Sequence, residues 1–405
     1  MADLQIHDVL IIGGGLVGAS LALALDRAGV PATLLEATPP AAMPEVFDQR
    51  NLSFAEATVN ALGALGVMAR LQRPAGAIRR IHVSRQGDFG QACLQAQDFG
   101  RTAFGQVVVA RDLGEALEAR LSEASRLTRL RPMRFLGFDT TQDDSVQRVR
   151  VAAGDGERVI AARLVVAADG ATSTVRQALG IAATTHDYGQ RLFVARLRTQ
   201  RAPDGTAYER LRDAGPTALL PRGDGCYGIV HGVATAEAAG VAALDADGFL
   251  RRVQDAFGWR AGRFLEVGER SVYPALRVVA DCTTARRAVL VGNAAQALHP
   301  VGAQGFNLGL RDALTLAELV AGAEDPGAEG LLEAYAQRRR EDRSRTLAFS
   351  DGLARITANP APLLRPLRSL GLAAIGAVPS LQSLLAGGAM GYRGDVPALC
   401  RGAGA

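Results

Sequence analysis

The N-terminal forty residues carry the feature that most restricts the fold of this chain. Residues 8–12 are a β-branched run that ends in Gly13-Gly14-Gly15-Leu16-Val17-Gly18, and a helical pattern follows over residues 19–28. A second apolar run, residues 32–35, ends in Glu36. Strand, GxGxxG, helix, strand and an acid about twenty residues past the glycines are typical of a dinucleotide-binding βαβ unit. The sequence therefore predicts a Rossmann-like α/β domain at this end of the chain.

The spacing gives each motif residue an expected role in holding a dinucleotide. Gly13 permits the turn, Gly15 lets a pyrophosphate approach the backbone, and Gly18 lets the helix pack closely on the strand. Leu16-Val17 completes the predicted cofactor-binding turn. Glu36 is expected to accept hydrogen bonds from ribose hydroxyls and to repel a 2′-phosphate, which favours FAD or NAD over NADP.

A second glycine-rich stretch, residues 292–313, follows the apolar run 288–291. Pro300 and the glycines at 302, 305 and 309 predict a tight turn, and a helical pattern runs from about Gly305 to Val320. A helix that begins at such a turn presents free N–H groups and a positive dipole end. This environment suits a flavin ring, which gains negative charge on reduction. By itself the stretch is equally compatible with a structural turn.

The middle of the chain suggests a second cofactor contact and an inserted domain. Residues 146–153 and 158–167 predict a pair of strands, and the second strand leads into Asp169-Gly170, with Arg176 on the next helical turn. Asp169 is either a helix N-cap or a cofactor ligand, and the N-terminal fingerprint favours the ligand. Residues 188–273 contain short β-like runs and many turns, which predicts an antiparallel sheet that forms a separate substrate domain.

Composition excludes several classes of protein. The chain has 405 residues and no lysine, so all 45 basic residues are arginine, which excludes P-loop kinases, Schiff-base enzymes and pyridoxal phosphate enzymes. Its 4 cysteines and 5 histidines are scattered, so we expect neither a redox disulfide nor a metal site. We find no apolar run of transmembrane length and no basic leader, and we expect a cytoplasmic protein or one peripheral at the inner membrane.

Three motifs together resemble the aromatic-ring hydroxylase family of FAD-dependent monooxygenases, the para-hydroxybenzoate hydroxylase-like group. They are Gly13–Gly18 with Glu36, Asp169-Gly170 with Arg176, and Gly292-Asn293 before the flavin-facing helix. The stretch Gly-Asn-Ala-Ala-Gln…Leu-His-Pro…Gln-Gly-Phe-Asn-Leu-Gly is similar to the ubiquinone-biosynthesis branch, most of all to the 2-octaprenyl-6-methoxyphenol hydroxylases. Asn293 departs from the family, whose usual Asp bonds the ribityl chain; Asn keeps an acceptor oxygen but loses the charge.

The resemblance implies further site residues and a reaction. Arg50 and Arg111 fall at flavin-contacting positions, and five residues fall around the isoalloxazine ring: Pro300, Gly302, Gly305, Phe306 and Asn307. The implied enzyme reduces FAD with NAD(P)H, forms a flavin C4a-hydroperoxide with O2 and hydroxylates the ring of a hydrophobic polyprenyl phenol. No catalytic base is assigned. His299 is a candidate, although it is equally suited to shaping the turn before Pro300, and His231 is expected to be a satisfied core histidine.

These observations define the expected architecture and its competitors. We expect a discontinuous FAD-binding domain (1–75, 100–178 and 275–345), a β-sheet substrate domain (76–99 and 179–274) and a helical C-terminal segment (346–405). The competing hypotheses are a catalytically weak flavin-binding scaffold of a ubiquinone-biosynthesis complex and a hydroxylase of another hydrophobic phenol. Other ubiquinone-biosynthesis proteins are candidate partners, and nucleic acid is not.

The C-terminal segment has a charge and an apolar pattern of its own. Residues 336–405 contain ten arginines and four acids, a net charge of +6, so that residues 1–335 carry −2 of the chain's +4. Apolar residues from Leu363 to Leu385 recur at helical spacing, interrupted by Pro366 and Pro379. This stripe is expected either to contact anionic lipid or to pack on the FAD domain or a second subunit.

Overall fold

Two large sheets organise the chain in the computed structural model, which describes residues 5–40, 42–139, 143–154, 156–299, 301–358 and 364–402. The first sheet has a parallel centre in the order β19-β11-β1-β2-β8, with β18 antiparallel at the β19 edge and β10 and β9 continuing antiparallel from β11. Its strands, numbered in chain order, are β1 (Ile6–Ile12), β2 (Ala32–Leu35), β8 (Leu127–Leu130), β9 (Met133–Phe138), β10 (Gln147–Ala153), β11 (Gly156–Ala167), β18 (Thr284–Ala285) and β19 (Ala288–Leu290).

Helices cover this sheet on one face, and a second apolar cluster covers the other. Val9 and Ile11 of β1 belong to one core and Leu10 and Ile12 to the other, so successive side chains of the strand are all buried. Burial on both faces explains why the strand is a continuous apolar run rather than an alternating one. The helices of the FAD domain are α1 (Leu16–Arg27), α2 (Glu56–Ala64), α3 (Ala110–Glu123), α4 (Thr174–Ala178), α7 (Gly305–Val320) and α8 (Glu329–Ala358).

The second sheet is antiparallel except for one parallel pair, β13 with β5. Its order is β20-β17-β12-β15-β14-β13-β5-β6, with β16 beside β12. Its strands are β5 (Arg80–Arg85), β6 (Gln91–Gln95), β12 (Ala183–Thr199), β13 (Thr206–Leu211), β14 (Thr217–Pro221), β15 (Tyr227–Ala234), β16 (Phe264–Val267), β17 (Ser271–Ala280) and β20 (Gln296–Ala297). The back of the sheet packs on α5 (Ala238–Ala242) and α6 (Ala246–Phe257), where Phe249 and Phe257 meet Phe193 and Ile229.

A small third sheet, β3 (Asn51–Ala55), β7 (Gly105–Val109) and β4 (Gly76–Ile78), lies in the order β3-β7-β4. The α/β class and the inserted antiparallel sheet are as predicted, and two expected domain limits are shifted. The expected limit at residue 275 falls inside β17, which stays paired with β12 up to Ala280. The expected start of the substrate domain at residue 76 falls on β4, which pairs with β7 instead. Both differences come from long-range pairing, which a local pattern does not specify.

The C-terminal helices α9 (Leu364–Ala377) and α10 (Pro379–Met390) pack on the second sheet and its surroundings rather than on the parallel sheet. A Cβ at Gly376 would lie 2.9 Å from the Gln91 carbonyl oxygen of β6, so the α9 backbone closely covers this edge strand. Ala386 and Met390 of α10 join a buried cluster with Ile78 and Leu94, among others.

Beyond α10, the described residues pack against α2 of the FAD domain. Tyr392 and Cys400 return to α2, where the Asn60 side chain donates to the Tyr392 hydroxyl at 3.0 Å and to the Cys400 carbonyl at 3.2 Å.

Within the described residues no single helix is long and apolar enough to cross a membrane. Residues 369–377 and 379–390 together reach that length and composition but are bent by 92°.

Candidate functional site

A cavity of about 680 Å³ lies between the carboxyl ends of the parallel strands and one face of the second sheet. In open α/β sheets, ligands bind in this position. The cavity is lined by twelve of the residues predicted from the sequence: Gly13, Gly15, Leu16, Val17, Glu36, Arg50, Asp169, Gly170, Asn293, Gly302, Gly305 and Phe306. Residues that lie far apart in the sequence therefore meet in one site.

The three fingerprint glycines occupy different environments, each of which suits its expected role. Gly13 has φ +108°, and a Cβ there would lie 2.6 Å from the Ala168 carbonyl oxygen. A Cβ at Gly18 would collide with the Gly13 carbonyl, because α1 packs directly against the turn. At Gly15 the nearest atom is Val46 Cγ1 at 3.5 Å, so this position opens to the cavity. The turn thus leaves room for a pyrophosphate at the second glycine.

Glu36 is fixed at the end of β2 by two backbone amides. Its Oε2 atom accepts from Gly14 N at 2.7 Å, and its Oε1 atom accepts from Thr38 N at 2.7 Å. The carboxylate lines the cavity beside the glycine turn. A carboxylate has about four acceptor sites, so two bonds leave acceptor capacity for ribose hydroxyls.

Asp169 lines the cavity, as expected for a cofactor contact, whereas the N-cap of α4 is Ser173, whose hydroxyl accepts from Arg176 N at 2.9 Å. The Oδ2 atom of Asp169 accepts from Val175 N at 3.1 Å near the start of α4, whereas its buried Oδ1 atom has no hydrogen-bond partner among the described residues. A buried acceptor without a partner carries a desolvation cost unless a ligand satisfies it. Arg176 does not line the cavity; its guanidinium donates to the Ala294 carbonyl at 2.8 Å and so ties α4 to the Gly292-Asn293 turn.

The Gly292-Asn293 turn presents one residue to the cavity and buries the other. Gly292 has φ +59°, and a Cβ there would lie 2.8 Å from Val17 Cγ2. Its amide donates to Asp312 Oδ2 of α7 at 3.4 Å. Asn293 is exposed and lines the cavity, as expected for a residue whose side chain contacts the cofactor.

The start of α7 faces the same cavity through Gly302, Gly305 and Phe306. Asn307 does not line it, because its side chain is used inside the protein: Oδ1 accepts from Ala55 N at 2.9 Å and from Thr58 Oγ1 at 2.7 Å. Asn307 therefore anchors the first turn of α7 to the end of β3. Pro300 lies outside the described residues.

The two arginines implied by the resemblance differ in position. Arg50 lines the cavity, pairs with Asp48 at 2.7 Å and lies 4.5 Å above the Tyr273 ring, whose hydroxyl bonds to Asp48. This cluster joins the FAD domain to β17 of the second sheet. Arg111 lies at the start of α3 with an exposed side chain; it does not line the cavity, and its amide donates to the Asp48 carbonyl at 2.9 Å.

His299 and His231 are both buried away from the cavity. Val301 N donates to His299 Nδ1 at 3.1 Å, so the ring holds the turn before α7, and burial lowers the pKa of His299 to about 4. This geometry matches the turn-shaping alternative. His231 pairs with Thr217 Oγ1 at 2.9 Å on the back of the second sheet, and burial lowers its pKa to about 3. The prediction of a satisfied core histidine at 231 is confirmed.

Other functional positions were missed from the sequence. The far wall of the cavity is an apolar sheet face that includes Ile81, Ala218 and Val230, and it also carries one carboxylate, Glu209. Ala207, Glu209 and Leu211 lie at two-residue spacing along β13, which places all three on one face of the strand. This pattern was the available signal, but it does not show which face is buried. No group of three or more His, Cys, Asp or Glu residues suited to a metal was found in the described part of the chain.

The fold and the site together define a FAD-binding oxidoreductase with a large apolar pocket. A family model described as FAD binding domain matches residues 7–350. The ubiquinone hydroxylase UbiL of Rhodospirillum rubrum is 34% identical over 392 residues, covering 96% of this chain and 90% of the relative. The 3-demethoxyubiquinol 3-hydroxylase of Escherichia coli is 28% identical over 383 residues, covering 91% and 95%.

Solved structures show the same fold. The p-nitrophenol 4-monooxygenase PnpA of Pseudomonas putida superposes with a TM-score of 0.79 at 18% identity, covering 97% of this chain and 100% of the other. The chain belongs to the FAD-binding aromatic hydroxylase family, in the branch of the ubiquinone hydroxylases. The predicted family, fold, flavin cofactor and enzyme class are confirmed.

Proposed function

We propose that this enzyme hydroxylates the aromatic ring of a polyprenyl phenol, a ubiquinone precursor, using O2 and NAD(P)H. The observation that carries the proposal is the continuity of one cavity, which runs from the glycine turn at Gly13 to the apolar sheet face around Val230. A cofactor site that opens directly onto an apolar wall suits an uncharged aromatic substrate with a hydrocarbon tail. The named activities of the relatives point the same way.

The residues present would hold FAD along this cavity. The first turn of α1, opened at Gly15, would receive the pyrophosphate, and Glu36 would receive the adenosine ribose. Asn293 and Asp169 line the cavity and would offer polar side chains to the ribityl chain of the cofactor, which links the pyrophosphate to the flavin ring. FAD, when bound, supplies electron transfer from the nicotinamide and activation of O2.

The remaining residues position the substrate side. The start of α7 directs N–H groups and a positive dipole end toward the cavity through Gly302 and Gly305, which favours an anionic reduced flavin. The apolar face of β14 and β15 excludes water from the reacting atoms, and this protects the activated oxygen from breakdown to peroxide. Position and exclusion of water are therefore the protein's main contributions.

We further propose a peripheral membrane contact, since a polyprenyl substrate resides in lipid. Leu370, Val378 and Leu381 on α9 and α10 are exposed by 57%, 39% and 39%. They belong to the basic C-terminal part of the chain, and interfacial helices combine these two properties. The competing hypothesis for this apolar surface is a contact with other ubiquinone-biosynthesis proteins. The competing hypothesis for the substrate is a different hydrophobic phenol.

The test is turnover by the purified protein. It should be yellow, release FAD rather than FMN, and oxidise NAD(P)H faster when a short-chain prenylated phenol is added, with one oxygen atom gained by the phenol in mass spectrometry. Tight FAD with no hydroxylated product from any prenylated phenol would instead favour the scaffold. Intermediates that accumulate in a deletion strain would identify the ring position.

A further inference from the structure

Glu209 is an isolated carboxylate on the apolar wall of the cavity. It lies on β13, paired with Ala218 of β14 on one side and with Val83 of β5 on the other. Because side chains alternate along a strand, Glu209 shares its face with Ala207, and both line the cavity. Neither directly opposed neighbour is polar. The strand therefore places one ionisable group on a surface that is otherwise built for hydrocarbon.

The carboxylate of Glu209 is incompletely satisfied by the described residues. Its Oε1 atom is buried and has no hydrogen-bond partner in the part of the chain that the structure describes. Burial raises the pKa of Glu209 to about 7. The residue keeps some accessible surface, consistent with its place on the cavity wall. A carboxylate that lies on a cavity wall with a buried, unpaired oxygen is costly unless a ligand satisfies it.

The arginines near Glu209 on β5 and β13 form ion pairs or hydrogen bonds with other residues. Arg85 follows Val83 on the same face of β5 and is held by Asp88 at 3.5 Å and by Asp213. On the other face of β13, Arg210 donates to Ser84 Oγ at 3.3 Å.

Across the cavity, the loop before α7 contributes Val301, Gly302 and Ala303, none of which is charged. Among the described residues, the charged ones that line the cavity are, besides Glu209, four at the cofactor end: Glu36, Arg50, Arg134 and Asp169. Glu209 therefore stands apart from the groups that would hold the cofactor.

We propose that Glu209 is the catalytic base, whose carboxylate accepts the proton of the substrate's phenol hydroxyl during hydroxylation. This inference rests on the proposed function. The phenol O–H bond breaks, its proton passes to the Glu209 carboxylate, and the electron pair of the phenol oxygen flows into the ring, which makes the ortho or para carbon nucleophilic toward the oxygen supplied by reduced flavin and O2. The new carbon–oxygen bond forms as the O–O bond of the activated oxygen breaks, and the ring becomes a cyclohexadienone. The hydrogen on the hydroxylated carbon then leaves as a proton, which balances the negative charge on the oxygen left by that cleavage and released as water, and Glu209 returns its proton to the ring oxygen.

The side chain suits this role for two reasons. A base works best when its pKa lies near the working pH, because it is then largely ionised and still basic enough to take the proton. The developing charge on the ring makes the phenol hydroxyl far more acidic in the transition state than in solution, so that transfer to a carboxylate becomes favourable. The surrounding apolar wall holds the aromatic ring against the carboxylate and keeps water from competing for it.

A single-turnover experiment tests the proposal without relying on the choice of nicotinamide. FAD-loaded protein is reduced with dithionite and mixed with oxygenated buffer and 2-prenylphenol, and the hydroxylated product is measured over pH 5.5–9. In the unmodified enzyme, the rate should rise with an apparent pKa near 7. In Glu209→Gln, the rate should fall by roughly 100-fold or more and lose this pH dependence, with peroxide released instead. Glu209→Asp should retain the pH dependence at a reduced rate.

Matched controls separate this role from a structural one. Glu266, an exposed carboxylate on β16 of the same sheet, pairs with Arg198, and Glu266→Gln should behave as the unmodified enzyme. Glu209→Gln should keep its FAD content and its rate of reduction by dithionite. An unchanged product rate and pH profile in Glu209→Gln would overturn the assignment.

A second measurement needs no variant. Ring-fluorinated 2-prenylphenols ionise at progressively lower pH, and the midpoint of the rate profile of the unmodified enzyme should stay near 7 for all of them. A midpoint that follows the phenol's own ionisation would overturn the proposal even if the Gln variant failed to fold. Absence of product from every phenol in the unmodified enzyme would overturn the proposed function, and the role of Glu209 with it.

Discussion

Arg339 of α8 donates to Asp312 of α7 across 2.8 Å, and both side chains are almost completely buried. Asp312 also accepts from the Gln296 side chain at 2.6 Å and from the Gly292 amide at 3.4 Å. Arg339 bonds in addition to Asp342, which holds Arg311 of α7. Burial alone would raise the pKa of Asp342, but the two guanidinium groups hold it below the ordinary value. This network fixes the turn that presents Asn293 to the cavity.

Breaking this network should therefore cost stability. Arg339→Gln leaves two buried carboxylates short of a positive partner, and loss of one member of a buried ion pair costs about 3–5 kcal/mol. Urea denaturation should show that loss in the free energy of unfolding. Arg345→Gln is the matched control on α8: Arg345 pairs with Glu341 at 2.8 Å in solvent, where an ion pair contributes about 0–1 kcal/mol. Equal effects of the two substitutions would contradict the assigned role of the network.

Gly15→Ala should separate cofactor binding from folding. The added methyl group meets only Val46 at 3.5 Å, so the apoprotein should keep its stability, but the methyl projects where the pyrophosphate is expected. We expect FAD affinity to fall by about tenfold or more, equivalent to at least ~1.4 kcal/mol, measured by fluorescence titration. Gly63→Ala, in α2 with no atom within 4 Å, is the control and should leave FAD binding unchanged. Normal FAD affinity in Gly15→Ala would place the pyrophosphate elsewhere.

The sequence alone predicted the parts of this site that depend on local chain geometry. The positive φ of Gly13 and the close packing of Gly18 are needed within one βαβ unit, so a spacing of six residues reveals them. The sequence favoured Asp169 as a cofactor contact over a helix N-cap, and in the structure Asp169 lines the cavity while Ser173 caps α4. A motif therefore identifies the residue, and contacts with distant segments determine whether its side chain can reach a ligand.

The missed residues depend on pairing between distant segments. Within its own strand, the sequence pattern indicates a solvent-facing residue at Glu209. Glu209 lines the cavity because β13 pairs in parallel with β5, more than a hundred residues earlier in the chain, and because this part of the sheet lies opposite the cofactor end. Asp312 stands inside the glycine-rich stretch, yet its partner Arg339 lies on the next helix. A shift of one residue in strand register would turn Glu209 to the other face, which is why a local pattern cannot identify it.

Asn293→Asp should bind FAD and lower its reduction potential. Both side chains offer an acceptor to the cofactor chain, so affinity should be largely retained. The added negative charge at the cavity surface disfavours the anionic reduced flavin. One added charge in a partly solvated site contributes about 1–2 kcal/mol, roughly 20–40 mV for a two-electron couple. A dye-equilibration titration gives the potential, and a value that stays constant or rises would show that residue 293 is remote from the ring.

Acid should weaken the second sheet through His231. Burial lowers the folded-state pKa of His231 from 6.5 to about 3, so the unfolded chain binds a proton that the folded chain excludes. Above pH 6.5 this group should have no effect, and between about pH 6.5 and 3 stability should fall by up to ~1.4 kcal/mol per pH unit. His231→Asn keeps a polar group near Thr217 and removes the titration, so its unfolding free energy should depend less steeply on pH. Identical slopes would show that other groups cause the acid sensitivity.

The exposed apolar residues of α9 and α10 provide the test of membrane contact. Deleting the segment would be uninformative, because Ala386 and Cys400 are fully buried and their loss should unfold the domain. Substituting only the exposed Leu370 and Leu381 by Ser leaves these contacts in place. Binding of the intact enzyme to phosphatidylglycerol vesicles at low salt should then fall at least about tenfold, since burying one leucine side chain contributes about 1.5–3 kcal/mol.

The control for this experiment is an exposed leucine in another part of the second sheet. Leu265 on β16 is 40% exposed, and Leu265→Ser should bind vesicles as the unmodified enzyme does. The double variant should also keep its FAD content and its unfolding midpoint, because neither side chain supports the core. If the unmodified enzyme ignores the vesicles, or if the double variant changes a dimer into monomers in sedimentation, the apolar surface contacts protein rather than lipid, and the substrate must reach the cavity by another route.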